Sequence, residues 1–179
     1  QGYSKARYKG FPSKAAAEKA FQEGAEAYLG KASKINMEGG FAVAGEPDWD
    51  SISVDAACSG NPGIMEYQGV NTKTGEQLFY KWFKAGTNNV GEFLAIVHAL
   101  AWLKEKGSTL PVYTDSQTAM GWVVKKTCRS TFITRNPDST LIPVIRRAER
   151  WLENHSYSNK ILKWDTQNWG EIPADFGRK

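Results

Sequence analysis

From Ser51 to Gly63 the chain reads SISVDAACSGNPG, and no other stretch restricts the fold as much. Ser51, Ser53 and Asp55 alternate with Ile52, Val54 and Ala56 until Gly-Asn-Pro-Gly breaks the pattern. That is the signature of a half-buried strand delivering one carboxylate to a sheet end. Alone, an Asp at such a position caps a turn. Its chemistry depends on whether other carboxylates meet it.

The residues that follow build the rest of a sheet. Ile64 to Val70 and Gln77 to Phe83 flank NTKTGE, whose Lys73-Thr74-Gly75 is a tight-turn signature, so three antiparallel strands are expected. In GTNNVGEFLAIVHALAWLKEKG, residues Phe93, Ile96, Val97, Leu100 and Leu103 recur at helical spacing, Glu92 falls in the first turn, and Gly107 supplies the stop. Pro111 to Thr114 reads as a short strand ending at Asp115, with a helix from Ser116 carrying Trp122 and Val123. KKTCRSTFITRNPDS reads as a polar, basic loop. Asp138 or Ser139 can cap the amphipathic helix after it, through Leu141, Ile145, Ala148 and Leu152. A last strand, Ile161 to Trp164, leads to a final short helix opened by Pro173 and carrying Asp175. The order βββαβααβα predicts an α/β fold, a five-stranded mixed sheet with three antiparallel and then parallel strands, and helices on both faces.

Charge and composition exclude several classes. No apolar run approaches a membrane span, so neither membrane insertion nor a membrane partner is expected. Cys58 and Cys128 lack Cys-x-x-Cys spacing and a neighbouring His, which argues against zinc and against a disulfide framework, and fits a reducing, cytoplasmic setting. Gln1 is preceded by neither an initiator Met nor a signal segment, as in a trimmed or processed chain. Residues 1–34 hold seven Lys/Arg against three Glu, and the rest holds sixteen of each sign. The excess charge is therefore N-terminal. In GYSKARYKGF, aromatic residues interleaved with cations suit either stacking on bases beside phosphates or packing of a small helix. Three segments are expected: 1–29 as a basic appendage, 30–50 as a Gly-rich linker and 51–179 as the body.

This topology brings Asp55, Glu92, Asp115 and Asp175 towards one sheet end. No Lys or Arg lies within four residues of Asp55, and the neighbours of Glu92 are neutral. Uncompensated carboxylates repel one another and resist desolvation unless a hard divalent cation holds them. Mg²⁺ meets that need, and two such ions serve phosphodiester cleavage.

DAACSGNPG, TNNVGEF, YTDSQTA and ADFGRK, in this order and at these separations, resemble the type 1 ribonuclease H domain, in its bacterial branch with a viroplasmin-like N-terminal hybrid-binding module. The resemblance covers Ser51 to Lys179. It implies a metal-dependent endonuclease of RNA/DNA hybrids with the ribonuclease H-like fold. Asp55, Glu92, Asp115 and Asp175 would hold two Mg²⁺, with Mn²⁺ as substitute, and Glu171 would be a further catalytic carboxylate. Cys58, Gly60, Asn61, Asn88, Asn89 and Gln117 would meet the RNA strand at its 2′-hydroxyls. Thr87, Ser130 and Thr131 would receive a DNA phosphate, Trp122 a deoxyribose, and Thr166 another part of the DNA strand. The hybrid is the implied partner of a monomer that needs no small-molecule cofactor.

Three features depart from the family pattern. Asp165 to Ala174 contains no His where other type 1 enzymes have a catalytic one, while His98 and His155 read as structural or solvated. The basic, Trp-rich handle of some members is replaced by Lys125 to Asp138, with Lys125, Lys126 and Arg129 as its cations. At the N-terminus only the later half of the hybrid-binding module is matched, with Tyr8 at a stacking position and Lys9 at a phosphate-contacting one. Two other readings stand beside the nuclease: a non-catalytic binder of hybrid or double-stranded RNA, and a DNA-cutting relative of the same fold.

Overall fold

The computed structural model describes residues 45–177. Tyr8, Lys9, the appendage and most of the linker lie outside the described residues. The alternating stretch forms β1 (Ile52–Gly60), which turns at Asn61-Pro62 into β2 (Gly63–Asn71). The strand therefore does not end at Asp55: pairing to β2 continues to Gly60↔Gly63, and Asp55 sits in mid-strand. The second hairpin leads to β3 (Gln77–Gly86). There the Asn71 side chain accepts the N–H groups of Lys73 and Thr74, and Gly75 adopts φ 72°, the left-handed conformation that glycine accepts without strain.

The sheet order is β3-β2-β1-β4-β5, with β4 (Val112–Thr114) and β5 (Ile161–Lys163) parallel to β1. The mixed five-stranded sheet follows the sequence pattern. Helix α1 (Asn88–Glu105) is buried nearly all round, including Phe93, Ile96, Val97, Leu100 and Leu103, as befits a helix at the centre of a core. Gly107, at φ 61°, terminates it as expected. Helices α2 (Gln117–Val124), α3 (Thr131–Arg135) and α4 (Leu141–Asn154) complete the same core through Val123, Phe132, Leu141, Ile145 and Leu152.

The other face is covered more thinly. Tyr113, Trp164 and Ile172 form a second cluster with Leu162 and with Trp169 of α5 (Thr166–Trp169). The last residues of the stretch read as linker are tied here, since the Asp48 N–H donates to the Tyr113 hydroxyl (3.0 Å) and Trp169 Nε1 donates to the Gly45 carbonyl (2.8 Å).

Three local expectations are corrected. The loop after α2 contains α3, started by the Ser130 hydroxyl accepting the Phe132 N–H and anchored by buried Phe132. Thr140 occupies the cap position of α4 with no side-chain bond, although the Ser139 hydroxyl does accept the Leu141 N–H. No helix forms over Pro173 to Asp175; Asp175 ends a turn whose N–H bonds to the Ile172 carbonyl, and its own Oδ2 takes the Gly177 N–H. That carboxylate competes for the backbone donor a helix would use. Among the described residues no helix is long and apolar enough to cross a membrane.

Candidate active site

Unequal strand lengths create the site. β4 pairs with β1 only at Ile52↔Val112 and Ser53↔Tyr113 and stops at Thr114, whereas β1 runs on to Gly60. Continuing that register sets Asp55 level with Asp115, where the sheet between the two strands has opened. The Ile52 N–H reaches across to the Pro111 carbonyl, so the even-numbered amides of β1 face β4. At Ala56 no β4 carbonyl remains, and its N–H donates instead to Glu92 Oε1 (3.3 Å). The Thr114 hydroxyl donates to Glu92 Oε2 (3.4 Å) and Asn88 Nδ2 to Oε1 (3.5 Å).

Glu92 is the fifth residue of α1, one turn deeper than the sequence pattern places it, because the helix starts at Asn88 with Thr87 as N-cap. Its depth depends on Gly91. A Cβ there would lie 2.7 Å from the Ala56 Cβ, so only glycine lets α1 approach the sheet this closely. Glu92 is consequently 2% exposed and Asp55 7%.

One ligand oxygen each from Asp55, Glu92 and Asp115 lies within 4.8 Å of the others. Asp115 is the most open of the three. Asp175 stands outside that set, although its charge is felt at Asp55. Burial raises the Asp55 pKa to about 6, and the charges of Asp115 and Asp175 add to this. Glu92 is pushed well above the ordinary carboxylate range, first by burial and then by the Asp55 charge. Among the described residues no lysine or arginine forms an ion pair with any of the four. Oxygen donors crowded and desolvated without a counter-cation form a set that could hold a hard divalent ion.

The remaining expected residues spread around this sheet end, where β1, β3, β4 and β5 all finish. Cys58 is half-buried, its thiol donating to the carbonyls of Gly60 (2.9 Å) and Gly86 (3.3 Å). Asn61 is exposed in the hairpin turn after Gly60; Asn88 and Asn89 open α1, and Gln117 opens α2, all three exposed. The Thr87 hydroxyl is engaged with the Val90 N–H, and that of Ser130 with the Phe132 N–H, while Thr131 is exposed beside it. A cleft of about 420 Å³ lined by Lys84, Ala85, Phe132 and Arg135 sets α3 beside the end of β3. Trp122 is half-buried, edge-on to Phe93 at 6.3 Å between centroids. Thr166 and Glu171 are exposed on and just beyond α5. Lys125, Lys126 and Arg129 are exposed.

Neither histidine reaches the carboxylates in this arrangement. His98 stacks on Phe79 at 4.0 Å and faces the Tyr67 hydroxyl; burial, then the charges of Lys81 and Arg147, lowers its pKa to about 4. His155 stacks on Trp151 beyond the end of α4. Two participants escaped the sequence reading. Thr114 holds Glu92, and Gln68, paired with Asp55 in the β1–β2 register, donates from Nε2 to the Ala174 carbonyl (2.7 Å). Strand alternation marks Gln68 as facing with Asp55, but only the pairing register reveals the two as neighbours.

Residues 51–168 match the RNase H family. A ribonuclease H of Neorickettsia sennetsu is 39% identical over 67 residues, a match covering 36% of this chain and 44% of that relative, so less than half of the relative's length is spanned. LC11-RNase H1, isolated from compost by a metagenomic approach, is 18% identical at a TM-score of 0.45, covering 66% of this chain and 87% of that one. RNase H1 from the halophilic archaeon Halobacterium salinarum has the same identity and TM-score, with 66% and 86% covered. The family match extends over most of the chain and takes in Asp55, Glu92 and Asp115, and on that ground the chain belongs to the RNase H family.

Proposed function

We propose that the chain is a metal-dependent endonuclease that hydrolyses the RNA strand of RNA/DNA hybrids, leaving 5′-phosphate and 3′-hydroxyl ends. One observation carries the reading: three carboxylates lie within 4.8 Å of one another, two of them buried, with no cationic partner among the described residues. Family membership supplies the reaction class.

Asp55, Glu92, Asp115 and Asp175 are the groups that would hold two Mg²⁺, or Mn²⁺ in their stead. Such ions, when bound, activate water for attack on phosphorus and stabilise the leaving oxygen. The protein's own part is placement. The Ala56 N–H and Thr114 hydroxyl fix both oxygens of Glu92, so the most buried carboxylate needs no rearrangement when a cation arrives. Asp115, the least buried of the three, is assigned to the side on which a phosphate would approach. Glu171, exposed and close in sequence to Asp175, is assigned to the neighbourhood of the scissile phosphate and the attacking water. With no histidine at hand, protonation of the leaving 3′-oxygen falls to water.

Selection of RNA is assigned to groups flanking that rim. The Gly60 backbone and the exposed amides of Asn61, Asn89 and Gln117 offer both donors and acceptors to 2′-hydroxyls, and Cys58 and Asn88 support them from half-buried or bonded positions. Thr87, Ser130 and Thr131 would take a DNA phosphate, with Trp122 against a sugar and Thr166 further along the DNA strand. None of these contacts distinguishes one base from another.

The test is one gel comparing hybrid, duplex RNA, duplex DNA and single-stranded RNA, with Mg²⁺ or with chelator. Only the RNA of the hybrid should be cut, only with metal, and not by Asp115→Asn. Hybrid bound but uncut by the wild type would make the chain a binding protein. Cut duplex DNA would make it a DNA nuclease of the same fold.

A further inference from the structure

The C-terminal segment that carries Asp175 has no strand or helix to hold it, since after α5 the chain runs through turns to Gly177. Two side chains rooted in the sheet region bond to it. Trp164 Nε1 donates to the Gly170 carbonyl (2.9 Å) at its start, and Gln68 Nε2 donates to the Ala174 carbonyl (2.7 Å), immediately before Asp175. Ala174 and Ile172 are buried, which brings the segment down to the sheet but does not fix how far along it the carboxylate stands. Apolar contact is non-directional; a hydrogen bond to a named carbonyl is not.

Gln68 is in the right position to set that register. It lies directly opposite Asp55 across the antiparallel β1–β2 ladder, on the same face, so the residue that touches Ala174 is also the cross-strand neighbour of the buried carboxylate. Its amide has one usable orientation. The Ala174 carbonyl accepts only, so Nε2 must point there, and Oε1 is then left facing Gln77, whose Nε2 donates to it (2.7 Å). Gln77 opens β3 and is exposed, away from the carboxylates. The chain Gln77, Gln68, Ala174 thus crosses two strands and ends on the turn.

From this geometry we infer that Gln68 is a positioning residue that holds Asp175 against Asp55, with Gln77 acting through it. The inference rests on the reading above that Asp175 belongs to the metal site. It gives this sheet face a purpose in building the fourth side of the carboxylate cluster, which the other three residues lack.

The experiment uses Gln68→Met, which keeps the side chain's length and removes both hydrogen bonds, together with Gln77→Met, the double variant and Asp175→Asn. Mn²⁺ binding is read in the absence of substrate from the free-ion electron paramagnetic resonance signal, and amide exchange over residues 172–177 is read on the metal-free chain. Gln68→Met should weaken Mn²⁺ binding by roughly ten- to hundredfold, the usual effect of losing a residue that orients a ligand, and should speed exchange in 172–177. Gln77→Met should do the same to a smaller degree, and the double variant should be no worse than Gln68→Met. Unchanged Mn²⁺ affinity in Gln68→Met, with Asp175→Asn impaired, overturns the inference alone, even if thermal stability falls. Additive losses in the double variant overturn the role given to Gln77. Unchanged affinity in Asp175→Asn removes Asp175 from the metal site, and this inference with it.

Discussion

Asp55→Asn should stabilise the metal-free protein while abolishing its activity. Burial, with the charges of Asp115 and Asp175 added, raises the Asp55 pKa from 3.8 to about 6 against the opposing hydrogen bond to Glu92. Between those values the folded chain binds a proton that the unfolded chain has released, so stability falls as pH rises through the window. Above about pH 6 the cost is fully present, and the interval corresponds to about 3 kcal/mol. An asparagine carries no charge to desolvate, and its amide can donate to Glu92, which relieves the second buried carboxylate as well. Part of that gain is returned because a neutral amide is still buried, leaving about 2 kcal/mol, or roughly 4–8 °C in midpoint for a chain of this size. The assay is thermal unfolding of chelator-treated protein at pH 7.5 and at pH 4, with and without Mg²⁺. The variant should unfold higher at pH 7.5, match the wild type at pH 4, and gain less from Mg²⁺. A variant no more stable than wild type at pH 7.5 refutes the claim that Asp55 is held as an uncompensated charge.

Three further outcomes follow from the same structure. Gly91→Ala should cost about 1–3 kcal/mol by forcing a methyl group to 2.7 Å from the Ala56 Cβ, and it should raise the Mg²⁺ requirement because Glu92 withdraws; Ala56→Gly in the same chain should recover both in unfolding and cleavage assays. His98, lowered to about 4 by burial first, contributes stability that is complete above its ordinary 6.5 and is lost as pH falls towards 4, so His98→Phe should gain on the wild type between pH 7.5 and pH 5 in urea unfolding. Glu149→Ala should destabilise more than Arg146→Ala, by about 1–3 kcal/mol against under 1, because Glu149 accepts the buried Cys128 N–H (2.9 Å) whereas Arg146 is a half-exposed ion-pair partner. Urea midpoints of the two variants decide this.

The sequence reading succeeded where periodicity and packing agree. Phe93, Ile96, Val97, Leu100 and Leu103 are apolar at helical spacing and are all buried in α1, and the 51–56 alternation matches the two faces of β1. It failed where a competing local bond or a distant partner decides. Pro173 favours a helix start, yet the Asp175 carboxylate takes the Gly177 N–H and makes a turn. Phe132 and Ile133 are adjacent and set no helical period in a polar stretch, too little to mark α3 before the burial of Phe132 is known. The clustering of Asp55, Glu92 and Asp115 was legible from strand order, but Thr114 and Gln68 enter through contacts 22 and 106 residues apart in sequence.

The site also explains why a buried glutamate is tolerated in an apolar helix. Had β4 continued alongside β1, its backbone would have paired with the Ala56 N–H and closed the gap between the strands. Because β4 stops at Thr114, that N–H is a buried donor needing an acceptor, and Glu92 supplies one from the adjacent helix. The carboxylate is therefore drawn in by the sheet's own unsatisfied group before any ion is considered. Its charge then meets those of Asp55 and Asp115, which the same strand ends bring together. A short strand beside a long one thus produces both the opening and the charge that fills it, at the point of an α/β sheet where ligands characteristically bind. The apolar packing of α1 carries the resulting cost.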